Sequence, residues 1–198
     1  PKIDMLQFHT QWGTINANFS EEDANHKVFN NWSLRVYDKA RNMMVDPISL
    51  YKAEPIKKVR LQQFTDIIRN YVKFKKDHKM DFTDMVEKYV KEISPPKYKV
   101  FIVDEAQDLT PLQWLFVEKV ANKANRVYLA GDDDQAIYEW NGAKVRCFLD
   151  FPGKAFVLNK SYRLNKTILE FSKEILTFIK ERQPKEFTSV NESEGYIH

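Results

Sequence analysis

Apolar residues in the first half of the chain recur at helical spacing in three segments. The first follows Ser20, which resembles the start of a capping box, and is expected to end near Pro47; its apolar residues are Val28, Trp32, Val36, Ala40 and Met43. The second, residues 55–74, turns its apolar side chains inward from Ile56 onward. The third follows Asp81 as a cap, with an apolar stripe of Phe82, Met85, Val86, Tyr89, Val90 and Ile93. The pattern predicts three amphipathic helices.

Short apolar runs replace this spacing after Pro95 and Pro96. They occupy residues 100–103, 127–130 and 155–158, and each suits a strand that is buried on both faces. Between the first two runs, Thr110 as cap and Pro111 at the first helical position predict a helix. Residues 164–181 form another predicted helix after the third run. Strands that alternate with helices predict an α/β fold.

The composition is that of an ordered globular protein: 198 residues, 43% hydrophobic, with a net charge of +3. Cys147 is the only cysteine, which excludes an internal disulfide and a tetrahedral Cys/His zinc site of ordinary spacing. No apolar run approaches the roughly 18 residues of a membrane span. We therefore expect no membrane partner and a soluble protein of the cytoplasm. Lysine outnumbers arginine 23 to 8, which is typical of AT-rich genomes and favours a bacterial or phage-infected cell.

Positive charge is concentrated between residues 52 and 79. Nine basic residues in this stretch face three acidic ones, Glu54, Asp66 and Asp77; the basic residues are Lys52, Lys57, Lys58, Arg60, Arg69, Lys73, Lys75, Lys76 and Lys79. Such a run either faces a polyanion such as DNA or forms the solvated face of a helix. Both interpretations stay open from the sequence.

Two adjacent carboxylates, Asp104 and Glu105, follow the first apolar run directly. Open α/β sheets bind ligands at the carboxyl ends of their strands. In nucleoside triphosphatases, an aspartate at this point holds Mg²⁺, usually through water, and a neighbouring glutamate can orient or deprotonate the attacking water. The alternative is an ordinary acidic turn between a strand and a loop.

Three blocks of sequence follow the predicted strands in order: residues 103–108 (VDEAQD), 131–140 (GDDDQAIYEW) and 158–163 (LNKSYR). Together they closely resemble motifs II, III and IV of the UvrD/Rep-type superfamily 1A DNA helicases, over roughly residues 81–175. The resemblance implies a partial RecA-like P-loop NTPase domain, with a parallel sheet and flanking helices. It also implies a mainly helical inserted subdomain.

The resemblance assigns roles in a nucleotide site residue by residue. Asp104 would be the carboxylate associated with Mg²⁺, and Glu105 would activate water. Gln135 would sense the γ-phosphate, and Arg163 would contact it as negative charge develops. The other implied nucleotide-binding residues are Tyr162, which would stack on the base, and Gln107, Asp108 and Asp132. The alternatives are a surface salt bridge for Arg163 and core packing for Tyr162.

Tyr138 and Trp140 match family positions whose rings stack on single-stranded DNA, a contact worth roughly 1–3 kcal/mol per base. Asn141 is the third implied DNA-binding residue, although the family commonly has arginine there. Ser161 is a further departure, because asparagine commonly precedes Tyr-Arg in the family. The alternative for the two aromatic residues is the buried side of a turn and helix.

No G-x-x-x-x-G-K-[ST] loop occurs among the five glycines, so the chain lacks the phosphate cradle of an NTPase. We therefore expect an internal fragment of a longer protein that does not hydrolyse ATP alone. On this interpretation residues 1–13 are a remnant of the first RecA-like domain and residues 14–80 are a basic helical insertion similar to subdomain 1B. Residues 81–185 return to the first RecA-like domain, and residues 186–198 begin the second.

The function implied by the resemblance is that of an ATP-dependent DNA helicase, which uses ATP and Mg²⁺ and acts in DNA repair or replication. Its partners would be single-stranded DNA and the junction of single-stranded and duplex DNA. One alternative is a helicase-nuclease subunit of the same superfamily. The other is a degenerate DNA-binding protein that hydrolyses no ATP; the presence of Glu105 and Arg163 disfavours it, because a binding module needs no hydrolytic groups.

Overall fold

The computed structural model describes residues 31–76, 80–191, 193, 195 and 196. The described residues form two compact units. The first unit holds residues up to Phe101 together with Thr110–Val127, and the second holds Ile102–Leu109 together with residues from Tyr128 onward. Within the described residues, no helix is both long enough and apolar enough to cross a membrane.

Helices dominate the described part of the first unit: α1 (Trp32–Asn42), α2 (Pro47–Ala53), α3 (Leu61–Lys75), α4 (Phe82–Glu92) and α5 (Pro111–Ala121). Side chains that accept backbone N–H groups fix several of their starts. Asn31 caps α1, and Asp46 caps α2, with Pro47 at the first helical position. Thr110 and Pro111 begin α5 in the same way, which confirms the predicted helix there.

The first predicted helix ends earlier than its apolar spacing indicated. It stops at Asn42 rather than near Pro47. Met44 has a φ of 58°, and a residue in this left-handed region ends a helix. The predicted capping box at Ser20 and the apolar Val28 lie outside the described residues.

The second predicted helix begins later than expected. Helix α3 starts at Leu61 rather than at residue 55, and Ile56 is exposed instead of facing inward. Pro55 explains where α2 ends, because a proline disfavours helical geometry at the preceding residue. Glu54 is accordingly extended, with ψ at 131°, and ends α2.

Helix α4 has the predicted cap, since the side chain of Asp81 accepts the backbone N–H of Asp84 at 2.6 Å. Its apolar stripe is only partly covered. The ring of Tyr89 packs against Phe116 of α5 with centroids 4.8 Å apart. The exposed members of the stripe are Phe82, Met85 and Ile93. Helix α4 contacts α1 through Thr83, whose Oγ1 accepts Asn42 Nδ2 at 3.1 Å, and contacts α5 through Tyr89.

Two apolar clusters form the core of the first unit. One is built on Leu34 and Tyr71, and the other on Val36, Tyr51 and Phe64. Phe64 is completely buried. Burial of an aromatic or aliphatic side chain of this size contributes roughly 1.5–3 kcal/mol, so these clusters hold α1, α2 and α3 together.

Five charged side chains from α1, α3 and the start of α4 form a second contact region, the helical ion cluster: Arg41, Lys75, Asp81, Asp84 and Glu87. Arg41 Nη1 lies 3.0 Å from Asp81 Oδ2, and its Nε lies 2.9 Å from Glu87 Oε1. Lys75 Nζ lies 2.7 Å from an oxygen of each aspartate. Both cationic side chains are only 9% exposed, so the cluster is largely shielded from water.

Asp81 is ionised in this cluster at any ordinary pH. Burial opposes its charge, but the hydrogen bond from Lys75 and the positive charge of Arg41 outweigh burial and lower the pKa of Asp81 to about 2. Lys75 therefore does not belong to an outward basic patch, as the sequence had indicated, because its charge is used internally. Lys79 lies outside the described residues, and the other members of the patch are exposed: Lys52, Lys57, Lys58, Arg60, Arg69, Lys73 and Lys76.

Strands β1 (Phe101–Val103) and β2 (Val127–Leu129) confirm the first two predicted strands and pair with each other. Ala130 donates its backbone N–H to the carbonyl of Val103 at 2.8 Å. The expectation of burial on both faces is wrong. The middle residue of each strand is exposed: Ile102 in β1, at 67%, and Tyr128 in β2. The sheet has two strands, and among the described residues no layer covers its second face.

The third predicted strand is also wrong in position. Residues 155–158 are irregular, with Phe156 85% exposed and Leu158 88% exposed, because no described strand pairs with them. The strand β3 instead spans Lys160–Asn165 and pairs in parallel with β4, Thr188–Asn191. Helix α6 (Val145–Leu149) precedes β3, and helix α7 (Lys166–Leu176) follows it. Helix α7 begins after Asn165, which ends β3 and caps the helix, and it ends at Leu176 rather than at residue 181. Helices and small parallel sheets together confirm the α/β class.

Candidate functional site

The chain makes a tight turn where β1 ends. Glu105 has a φ of 52°, a left-handed conformation that is uncommon for a residue with a side chain. Asp104 supports the turn, because its Oδ1 accepts the backbone N–H of Glu105 at 3.0 Å. Both carboxylates are exposed. Strained backbone of this kind is concentrated at functional sites, which makes the turn the first element of a candidate site.

Gln107 joins this turn to the residues that follow β2. Its side chain is 1% exposed, and its Nε2 donates to Glu105 Oε2 at 2.8 Å and to Asp108 Oδ2 at 3.3 Å. Its Oε1 accepts the backbone N–H of Asp132 at 3.1 Å. One buried amide therefore connects two loops that are separated in sequence by a helix and a strand.

Gly131 lets these two loops approach each other. A methyl group on its Cα would lie 2.6 Å from Gln107 Oε1 and 3.0 Å from the ring of Phe148. Neither contact can be accommodated without movement. The glycine that opens the block 131–140 is thus required for close packing against Gln107.

Asp108 has an unused acceptor beside Glu105. Its Oδ1 is buried and has no hydrogen-bond partner among the described residues. Burial and the negative charge of Glu105 raise the pKa of Asp108, although the hydrogen bond from Gln107 opposes the change. A buried acceptor of this kind is costly unless a donor or cation reaches it.

The loop after β2 holds Gln135 by a short local contact. Gln135 Nε2 donates to Asp132 Oδ2 at 2.6 Å, and the backbone N–H of Asp134 donates to Asp132 Oδ1 at 3.2 Å. Gln107, Asp132 and Gln135 thus form a continuous hydrogen-bonded series that ends at Glu105. Four predicted nucleotide-site residues are brought together in this way.

Three consecutive aspartates in this loop are matched by two cations from the segment between α7 and β4. We call the set the loop ion cluster: Asp132, Asp133, Asp134, Arg182 and Lys185. Arg182 forms a two-point contact with Asp134, at 2.6 Å and 2.8 Å. Lys185 Nζ lies 2.8 Å from Asp132 Oδ1 and also pairs with the buried Asp133.

Arg182 and Lys185 were missed by the sequence interpretation. They lie about 50 positions from their aspartate partners, so no local spacing relates the two groups. The one usable signal was electrostatic: three adjacent carboxylates repel each other and require cations wherever they are not fully solvated.

Tyr138 and Trp140 lie at the far end of the same block, on the outside of the molecule. Trp140 is 68% exposed and Tyr138 is also exposed, so the alternative that they form the buried side of a turn is wrong. Their ring centroids are 6.4 Å apart with planes inclined by 41°. Asn141 is exposed beside them. The two rings offer adjacent faces to an external ligand.

Tyr162 and Arg163 lie on β3, and no described contact links them to the series around Gln107. Tyr162 is 77% exposed, which contradicts the alternative of core packing. The Arg163 side chain is exposed, and no described carboxylate forms a salt bridge with it. Both side chains are therefore available to a ligand.

The donor set of the turn suits a hard cation that retains its water. Among the described residues, no group of three or more His, Cys, Asp or Glu side chains is arranged to hold a metal ion. Magnesium does not need such a cage, because it commonly binds one or two carboxylates, water and substrate phosphates. Asp104 fits this chemistry, since only one of its oxygens is engaged by a described residue.

Acidic and amide side chains that meet at the ends of paired strands are typical of α/β proteins that bind and hydrolyse nucleotides. The comparison with known families narrows this class. The model of the UvrD/REP helicase N-terminal domain matches residues 3–155, and the chain belongs to this family. The family that the three sequence blocks indicated is thereby confirmed.

Curated relatives agree with the family. The ATP-dependent DNA helicase PcrA of Staphylococcus epidermidis strain RP62A is 36% identical over 100 residues, which cover 48% of this chain and 14% of the relative. PcrA of Staphylococcus aureus strain Mu50 is 35% identical over 107 residues, which cover 52% of this chain and 15% of the relative. The match therefore spans about one seventh of the length of these relatives.

Proposed function

We propose that this chain is part of an ATP-dependent DNA helicase, which couples ATP hydrolysis to movement along single-stranded DNA and to duplex unwinding. The observation that carries the proposal is the hydrogen-bonded series from Glu105 through Gln107 and Asp132 to Gln135. It occurs in a chain of the UvrD/REP family whose relatives are named ATP-dependent DNA helicases. The activity is proposed for the whole protein.

Glu105 is the general base in this proposal. It takes a proton from water as the water oxygen bonds to the γ-phosphorus, and the bond to the bridging oxygen breaks to release ADP and phosphate. The support is geometric. Gln107 holds Glu105 Oε2 at 2.8 Å, and the exposed carboxylate can reach a water molecule.

Asp104 would hold Mg²⁺ through water at the same turn. The ion, when bound, neutralises charge on the phosphates. Asp104 is exposed, and its engagement by the backbone N–H of Glu105 fixes the direction of its carboxylate. Asp108 and its buried free oxygen support the view that this turn is built to meet a cation or donor.

Gln135 would sense the γ-phosphate, while Arg163 would stabilise its developing charge and Tyr162 would stack on the base. The amide of Gln135 carries two protons, of which one is given to Asp132, so the other can be donated to phosphate. The exposure of Tyr162 and Arg163 agrees with ligand contacts.

Tyr138, Trp140 and Asn141 would contact single-stranded DNA. Exposed aromatic pairs bind bases without regard to sequence, because every base has a stacking face. Gln135 and Tyr138 are three positions apart, so a change at the phosphate can alter the hold on DNA through one short segment. The exposed basic residues of α3, including Arg69 and Lys73, would add contacts to the DNA backbone near a junction.

In the same proposal residues 14–80 are the inserted helical subdomain, residues 81–185 belong to the first RecA-like domain, and residues 186–198 begin the second. The described helices α1, α2 and α3 fall within the first of these ranges. The three sequence blocks fall within the second.

The test is steady-state ATP hydrolysis by the full-length protein that contains this chain, with and without single-stranded DNA. We expect hydrolysis that DNA stimulates, and a loss of about 100-fold or more in kcat for Glu105→Gln, the scale of a lost general base. Glu118→Gln removes an exposed carboxylate of α5 and is the matched control, expected to leave kcat unchanged. Binding of DNA without hydrolysis would support the degenerate DNA-binding protein instead.

A further inference from the structure

We propose that Lys185 is a positioning residue for Gln135, acting through the carboxylate of Asp132. This inference rests on the proposed function, in which the amide of Gln135 meets the γ-phosphate. It assigns a role in the nucleotide site to the segment between α7 and β4. No sequence block had indicated that segment.

The carboxylate of Asp132 is shared between the two side chains. Its Oδ1 lies 2.8 Å from Lys185 Nζ, and its Oδ2 accepts Gln135 Nε2 at 2.6 Å. A carboxylate that is fixed at one oxygen by an ammonium group presents the other oxygen in a defined direction. Lys185 therefore sets the direction in which the Gln135 amide points.

Charge makes this support necessary. Asp133 and Asp134 lie next to Asp132, and Asp133 is buried. Without a cation, repulsion among the three carboxylates would push Asp132 toward water and away from Gln135. Lys185 is itself only 7% exposed, and its ammonium group contacts all three aspartates.

Lys185 and Asp132 are both ionised at neutral pH. Burial opposes the charge of Lys185, but hydrogen bonds to Asp132 and Asp133 outweigh burial and raise the pKa of Lys185. Burial likewise opposes the charge of Asp132, and the hydrogen bond from Lys185 outweighs it and lowers the pKa of Asp132. The contact is thus a stable ion pair throughout the neutral range.

Asp132 is also connected, through Gln107, to Glu105, the proposed general base. Its backbone N–H donates to Gln107 Oε1, and Gln107 Nε2 donates to Glu105 Oε2. A shift of Asp132 would therefore disturb both Gln135 and the amide that holds Glu105. Lys185 lies three positions before β4, so this strand and the site are connected through few residues.

Arg182 supplies an internal comparison. It binds Asp134 at two points, whereas the side-chain amide of Gln135 donates to Asp132. The backbone N–H of Gln183 donates to Asp133 at 2.6 Å and gives the same segment another anchor. Loss of Arg182 should loosen the segment without releasing Asp132 from Lys185. If the cluster is purely structural, loss of Lys185 and loss of Arg182 should lower kcat equally. If Lys185 positions Gln135, loss of Lys185 should lower kcat more.

The kinetic experiment measures ATP hydrolysis by the full-length protein in the presence of single-stranded DNA. Lys185→Met should lower kcat about tenfold, the scale of one lost hydrogen bond to a charged group, with KM for ATP changed less than about twofold. Lys185→Arg, which keeps the charge, should restore most of kcat. Arg182→Gln and the exposed control Lys180→Met should stay within about twofold of the original kcat.

A second measurement does not depend on activity and shows in the same spectrum whether the variant is folded. The side-chain amide signals of Gln135 are followed by nuclear magnetic resonance in the 198-residue chain after selective labelling of glutamine. Lys185→Met should move these signals to the positions of a free amide, whereas Arg182→Gln should leave them in place. A spectrum that is otherwise dispersed as in the original chain shows that the variant is folded.

The outcomes separate the two proposals. An original protein that hydrolyses no ATP overturns the proposed function, and the amide signals still decide whether Lys185 positions Gln135. Unchanged Gln135 signals in Lys185→Met overturn the positioning role. Equal losses of kcat in Lys185→Met and Arg182→Gln also overturn it, since a merely structural cluster would give that result.

Discussion

The two ion clusters have the same numbers of cationic and anionic side chains, but their surroundings differ. Each sets two cations against three carboxylates, Arg41 and Lys75 in the first unit and Arg182 and Lys185 in the second. The helical ion cluster joins regular helices beside an apolar core. The loop ion cluster holds an irregular segment whose next contacts are Gln135 and, through Gln107, Glu105.

This difference shows that the number of charges and their burial do not tell whether an ion cluster stabilises the fold or serves the nucleotide site. The two clusters differ in the side chain outside the cluster that their carboxylates contact. Around the helical ion cluster that contact is the hydroxyl of Tyr71, a core residue that donates to Asp81 at 2.9 Å. Around the loop ion cluster it is an exposed amide that can reach a ligand. We therefore expect stability to depend chiefly on the helical ion cluster, and catalysis to depend chiefly on the contact of Lys185 with Asp132 in the loop ion cluster.

The largest effect is expected from Arg41→Met. Removal of one partner from a buried ion pair leaves unpaired charge, which costs about 3–5 kcal/mol. Urea unfolding should show this loss in the free energy of unfolding. Lys88→Met removes one side of an exposed pair with Glu92 and serves as the control, with a change below about 0.5 kcal/mol. Similar effects of both variants would show that the helical ion cluster has no special role in stability.

Gly131→Ala tests the packing that supports the second cluster. The new methyl group would lie 2.6 Å from Gln107 Oε1, so Gln107 must move from Asp132. We expect a loss of about 1–3 kcal/mol in the free energy of unfolding, the range for overpacked sites. Denaturant unfolding measures it, together with ATP hydrolysis, which should also fall because Gln107 holds Glu105. Full activity in a folded variant would contradict the role given to Gln107.

Acid should weaken the first unit through Asp81. Because the pKa of Asp81 is lowered from the ordinary 3.8 to about 2, its ionisation contributes about 2 kcal/mol that is present above pH 4 and lost as the pH falls toward 2. Unfolding free energies measured between pH 5 and pH 2 should therefore fall less steeply in Asp81→Asn than in the original chain. Parallel curves would indicate that Asp81 has the same pKa in the folded and unfolded states.

Trp140→Ala should have the smallest energetic effect. Loss of one stacking ring weakens binding of single-stranded DNA about tenfold, which corresponds to the lower part of the range of 1–3 kcal/mol per base. Fluorescence anisotropy of labelled DNA with the full-length protein measures the affinity. Phe178→Ala removes an exposed aromatic side chain outside the block 131–140 and is the matched control. Equal weakening in the two variants would indicate nonspecific contact.

Local signals explain which parts of the fold could be predicted. Asp81 and Thr110 start their helices as expected, because a cap and the residues it serves are neighbours in sequence. The start of α3 at Leu61 differs from the predicted start at Pro55, because the apolar spacing continues through residues 56–59 although they are not helical. Residues 155–158 have strand composition but form none, since a strand depends on a partner that sequence spacing does not provide.

Some residues of the candidate site could likewise be predicted from the sequence, and others could not. Glu105 follows a predicted strand directly, and α/β sheets bind ligands at such strand ends. Gln107 and Gln135 are predicted only through the resemblance of their blocks to the helicase motifs. Lys185 was not identifiable, because its partners lie about 50 positions away and a single lysine carries no pattern. The roles assigned to individual side chains stay predictions that depend on bound nucleotide and DNA.

The most direct test is the rate of ATP hydrolysis by the full-length protein as single-stranded DNA is titrated. The account predicts that the rate rises and saturates with DNA, that Gln135→Ala removes most of the rise, and that Asp81→Asn retains it. The two variants remove one polar group each, from the loop region and the helical region. A rate that does not respond to DNA, or equal losses in both variants, would contradict the claim that the segment from Gln135 to Trp140 connects hydrolysis to DNA.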